Sequence, residues 1–162
     1  MQATPEVYTG SEETAQRPDI SERRRYRFPL PPHPIAAEQA RALMRLALAT
    51  WDMNDIADDA LIIAAELVTN AVKIGEVFHL TLSCLDQAVL VEVWDNSEAS
   101  PDRQPPSVDR VDGRGLLLVQ ACSKDWGWRL EDQGGKTIWA VVGGHDTEPD
   151  ARTITASTAV RR

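Results

Sequence analysis

The stretch from about Ile56 to Ile74 is the most constraining part of this chain: its apolar content reads as a buried helix, yet it carries two polar groups that burial must explain. Within it runs Glu66, Leu67, Val68, Thr69, Asn70, Ala71 and Val72, and Gly75 follows as a natural C-terminal cap. Glu66 and Asn70 stand one helical turn apart, so they project from one face. A buried polar group left without a partner costs about 1–3 kcal/mol. A carboxylate able to take a proton and an amide oxygen able to hold a hard cation give the pair a purpose. The edge of an exposed helical face is the other reading of the same residues.

The surrounding pattern predicts what this helix packs on. Arg24 to Leu30 reads as a short strand, stopped by Pro29, Pro31, Pro32 and Pro34. Ile35 to about Thr50 is an amphipathic helix, with Leu43, Leu46 and Ala47 at helical spacing. Past Gly75 the period becomes two: Val77–Leu85 and Ala88–Trp94 form a hairpin across Asp86 and Gln87, ending at Asp95. A long polar loop from Asn96 to about Asp112, with three prolines, leads to Gly113, Arg114 and Gly115, which open a short apolar helix from Leu116 to about Ala121. Two strands close the pattern, Asp125–Leu130 and Lys136–Val142, joined by a turn at Gln133, Gly134 and Gly135.

Hairpin strands with helices on one side make an α+β fold: a two-layer sandwich whose mixed, mostly antiparallel sheet is covered on one face by helices. No β-α-β repeat with a G-x-G-x-x-G turn is present, which argues against a Rossmann fold. Residues 23–143 form the domain. Residues 1–22 and 144–162 have little to bury and are expected to be mobile tails.

Charge and cysteine usage exclude several functions. The net charge is −8, which would repel a phosphate backbone and argues against direct nucleic-acid binding. The basic run Arg23, Arg24, Arg25 and Arg27 suits a solvated strand edge. No window approaches the roughly 18 apolar residues of a membrane span, so a cytoplasmic location is expected. Cys84 and Cys122 are far apart and suit reduced core thiols, and His33, His79 and His145 sit in no nucleophile or metal motif. Trp94, Trp126 and Trp128 suit core packing. Gly135, Lys136 and Thr137 imitate the end of a phosphate loop, but Leu130 occupies the position of its first glycine and a strand follows instead of a helix.

Three polar constellations remain. Glu66 and Asn70 lie on the helix, with Asn70 able to offer its oxygen to a magnesium ion riding on phosphates. Asp95 stands at a strand end, where an ionised carboxylate accepts hydrogen bonds and suits a ligand amino group such as that of adenine; capping the following turn is its other use. Gly113 and Gly115 open a helix, whose unpaired N–H groups suit a phosphate chain. Together they describe an ATP site.

The order of these motifs resembles the histidine-kinase-like ATPase superfamily, and within it the anti-sigma-factor serine/threonine kinases. ELVTNAV at 66–72 is similar to the asparagine box of that family, the Asp95 strand end to its first glycine box, GRGLLLV at 113–119 to its second, and GKTIWAV at 135–141 to its closing strand. The resemblance covers about Phe28 to Val142 and implies a Bergerat-type ATPase fold. It implies that Glu66 is the general base for a seryl or threonyl hydroxyl and that Asn70 holds Mg2+. By the same resemblance Asp95, assisted by Thr137, reads adenine, Gly113, Arg114, Gly115 and Leu116 face the phosphates, and the long loop is a lid. It further implies an anti-sigma-factor antagonist protein as substrate, a sigma factor as competing partner, and a possible homodimer. Where the kinases continue D-x-G-x-G, this chain has Asn96, Ser97, Glu98 and Ala99 after Asp95. Where many relatives have a histidine after the asparagine box, it has Lys73 and Ile74. The alternative function is therefore a binding module that sequesters a sigma factor or other regulator, with ATP a conformational ligand or not bound.

Overall fold

A computed structural model describes residues 24–101 and 115–144. The elements run β1 (Arg25–Leu30), α1 (Ile35–Thr50), a 3-10 turn (Asn54–Ile56), α2 (Ala57–Val72), β2 (Phe78–Cys84), β3 (Ala88–Asp95), α3 (Gly115–Cys122), β4 (Asp125–Leu130) and β5 (Lys136–Gly143). The five strands form one sheet in the order β1-β2-β3-β5-β4. Each of its pairings is antiparallel, so the mixed character expected from the sequence gives way to a uniformly antiparallel sheet. β5 enters between β3 and β4, so α3 carries the chain across one intervening strand. The tails expected at 1–22 and 144–162 lie, Gly144 apart, outside the described residues.

Alternation along the strands divides the sheet into two unlike faces. Tyr26, Phe28 and Leu30 of β1 pair with Leu82, Leu80 and Phe78 of β2, which pair onward with Val91 and Val93 of β3 and through them with Ala140 and Ile138 of β5. These residues join Met44, Leu48, Ile63, Leu67 and Val68 in a single core under the helices. Trp126 is buried in that core and Trp128 packs against it, as their same-face spacing predicts. The opposite face carries Arg25, Arg27, His79, Thr81, Glu92, Trp94, Arg129 and Thr137 instead.

Local chemistry sets the helix ends. The amide of Ile35 donates to His33 Nδ1 at 3.1 Å, which gives His33 a capping role where Pro34 lacks a side-chain acceptor. At the end of α1 Asp52 adopts φ 56, Met53 N donates to Leu48 O at 2.8 Å and Asp52 N to Ala49 O at 3.3 Å, the paired bonds of a Schellman ending. Trp51 then stacks on Tyr26 with ring centroids 5.4 Å apart, tying the helix end to the edge strand. Past α2, Gly75 takes φ 81 and its amide donates to Val72 O, and the helix stops two residues beyond Asn70.

Candidate functional site

α2 lies centrally on the sheet, against β2, β3 and β5, with α1 on one flank and α3 on the other. Its buried face presents Ala60, Ile63, Ala64, Leu67, Val68 and Ala71 to the core, and each is inaccessible to solvent. Rotating that face into the core leaves Glu66 and Asn70 half-buried at its margin, toward α3. Gly115, the first residue of α3, meets them there: a Cβ placed on it would lie 2.8 Å from Glu66 Oε2 and 3.9 Å from Asn70 Oδ1. A side chain at this position would displace the Glu66 carboxylate. Leu116, expected near the phosphates, has its side chain buried in the core, so it anchors the start of α3. Its backbone is the part that stays near the proposed site. Gly113 and Arg114 lie outside the described residues, as does most of the expected lid.

Asp95 ends β3 and is 3% exposed. Its Oδ1 accepts a hydrogen bond from Ser97 N at 2.9 Å, so it does cap the turn after the strand. The same oxygen accepts from Lys136 Nζ at 2.9 Å, and the two side chains are 4% and 5% exposed. Lys136 is Asp95's partner across the β3–β5 register, so both side chains leave the same sheet face. Thr137 pairs instead with Trp94, and one step along a strand reverses the face. It lies with Trp94 and Glu92 in a cleft of about 500 Å³ on the opposite face, and its hydroxyl donates to Glu131 Oε1 at 2.5 Å. The expected assistance of Thr137 to Asp95 is therefore corrected: the neighbour of the carboxylate is Lys136. Only the register of β3 against β5, which sets Asp95 opposite Lys136, distinguishes the two.

Removing one partner of a buried ion pair costs about 3–5 kcal/mol, because the other charge is left uncompensated. Lys136 and Ser97 both bond Oδ1 of Asp95, and Gly135 reinforces the arrangement. At φ 78 it lies so close to the Asp95 carbonyl and the Trp94 ring that any Cβ would overlap them. Trp94 Nε1 donates to Gly134 O at 3.1 Å, fastening the same turn.

The cleft on the far face is an ionic network. Arg129 bonds Glu92 at 2.8 Å and Glu131 at 3.1 Å, and Arg25 lies 3.9 Å from Glu92. His79 borders it, tilted against Trp94 at 5.4 Å. Burial, then the nearby Arg27 guanidinium, holds the His79 imidazole below its usual pKa. Between α2 and α3, burial and then the Asp59 carboxylate raise the Cys122 thiol, which suits an inert packing role.

A two-layer sandwich of three helices on an antiparallel sheet, with an acid and an amide on the central helix meeting the start of a later helix, is the architecture of a histidine-kinase-like ATPase. The family model of the histidine kinase-like ATPase domain matches residues 30–142. The chain belongs to this family. No curated protein matches the sequence. Membership implies ATP binding, and the residues fit that ligand unequally. Glu66, Asn70 and the start of α3 suit its phosphate and cation end, whereas the carboxylate expected at its base end is already held by Lys136. Among the described residues no helix is long and apolar enough to cross a membrane.

Proposed function

We propose that this chain is a regulatory protein that uses magnesium and ATP to phosphorylate a serine or threonine of an anti-sigma-factor antagonist protein, and that it holds a sigma factor in competition with that antagonist. The observation that carries the reading is the convergence of Glu66, Asn70 and Gly115. ATP supplies the transferable phosphoryl group. Glu66 is the base: it accepts the proton of the partner's hydroxyl. Asn70 would hold the magnesium ion through its amide oxygen, a hard donor suited to that cation. General-base catalysis contributes typically 10²–10⁴-fold. Glu66→Ala should therefore lower transfer of labelled phosphate to the antagonist by about that factor while leaving nucleotide binding in place; unchanged transfer refutes the role.

A second reading rests on the Lys136–Asp95 pair and on the absence of glycines after Asp95. In it the domain sequesters a sigma factor or similar regulator without turnover. Partner capture should then be the same for wild type and Glu66→Ala, and loss of capture in that variant counts against it.

A further inference from the structure

The buried ion pair of Lys136 and Asp95 keeps hydrogen-bonding capacity that its own contacts do not use. Lys136 Nζ lies 2.9 Å from Asp95 Oδ1, and Ser97 N donates to that same oxygen at 2.9 Å. Among the described residues Oδ2 takes no hydrogen bond, so it stays open as an acceptor. An ammonium has three N–H donors. One serves Oδ1 and a second reaches Ser97 O at the long distance of 3.5 Å, which leaves a third. A buried donor without an acceptor costs free energy that a ligand acceptor can recover. The pair thus offers one acceptor and one donor side by side. Its position is fixed from both strands: Gly135, immediately before Lys136, is packed against the Asp95 carbonyl and the Trp94 ring, and Asn96, immediately after Asp95, donates to Glu76 Oε2 at 2.7 Å.

We propose that Lys136 reads the base together with Asp95: Oδ2 accepts from the 6-amino group of adenine while the remaining Nζ donor serves a ring nitrogen beside that group. Adenine presents the matching pattern, since its 6-amino donor is flanked by ring acceptors, N1 on one side and N7 on the other. A hydrogen bond from a charged donor is stronger than one between neutral partners, so a base without that ring nitrogen should bind measurably more weakly. The inference rests on the reading that α2 and the end of β3 frame a nucleotide. It adds to that reading a specificity-determining residue, separate from the roles of Glu66 and Asn70.

The test is calorimetric titration, in magnesium, of wild type and Lys136→Met with ATP, 1-deaza-ATP and 7-deaza-ATP, with folding followed by circular dichroism. Each analogue carries C–H in place of one flanking nitrogen and keeps the 6-amino group. Wild type should bind one of the analogues about tenfold more weakly than ATP. Lys136→Met should bind ATP about tenfold more weakly than wild type does, and should bind ATP and that analogue equally. Equal binding of ATP and both analogues by wild type overturns the proposal and needs no variant, so a folding failure of Lys136→Met leaves the test intact. A lysine that only shapes the pocket would leave the ratio of ATP to analogue unchanged on its removal; that result in folded Lys136→Met overturns the role of Lys136 and leaves the nucleotide site standing. No binding of ATP by folded wild type overturns this inference together with the nucleotide reading.

Discussion

Gly115 and Gly135 both lack room for a side chain, but what fills the room differs and so do the consequences. At Gly115 the obstacle is the end of the flexible Glu66 side chain. Gly115→Ala should therefore change the melting temperature little while reducing phosphate transfer, because the displaced group is the proposed base. At Gly135 the obstacles are the Asp95 carbonyl and the Trp94 ring, and φ is 78. Strain at a positive φ costs about 1–3 kcal/mol and overpacking a further 1–3 kcal/mol. Gly135→Ala should lower stability by roughly 2–5 kcal/mol in denaturant titration; a cost below about 1 kcal/mol would show that the turn can relax.

His79 sets a pH dependence at the same scale. Its folded pKa lies below the unfolded value, so the unfolded chain takes up the proton first as pH falls. The contribution to stability is complete above about pH 6.5 and is lost progressively below it. Its Nδ1 is buried with no hydrogen-bond partner among the described residues, which gives the proton no acceptor to reward it. Thermal melts between about pH 7 and pH 5 should fall less steeply for His79→Gln than for wild type. Parallel profiles would remove the histidine from the account.

At the scale of elements, α2 carries the stability of the domain on its buried face and the proposed chemistry at the margin of that face. Leu67 is inaccessible to solvent in the shared core, and Leu67→Ala should cost about 2–5 kcal/mol by equilibrium unfolding. Leu46 of α1 is 67% exposed, and Leu46→Lys should be near neutral. The elements were legible because their patterns are strong: α1 spans Ile35–Thr50 as expected, and β3 ends at Asp95. The pair Glu66 and Asn70 was legible for the same reason, since a helix of known phase fixes which residues share a face. The neighbour of Asp95 was less so. Thr137 and Lys136 are adjacent in sequence, and only the strand register decides which of them reaches the carboxylate. Register is a property of two segments far apart in the chain, and a reading that treats each strand singly cannot fix it.

At the scale of the whole molecule, the order β1-β2-β3-β5-β4 places α2 over the centre of the sheet and the basic strand β1 at its edge. Arg25, Arg27 and Pro29 there discourage pairing with another chain's strand. The two sheet faces divide the labour: one is the apolar seat of the helices and ends at Asp95, while the other holds the Glu92–Arg129–Glu131 network. The central claim is that α2 supplies the cation end of a nucleotide site. The most direct test is calorimetric titration of wild type and Asn70→Ala with ATP, each with and without magnesium. The account predicts saturable binding that magnesium strengthens in wild type, with that strengthening lost in Asn70→Ala. Binding equally strengthened by magnesium in both proteins, or no binding in wild type at millimolar ATP, would contradict it.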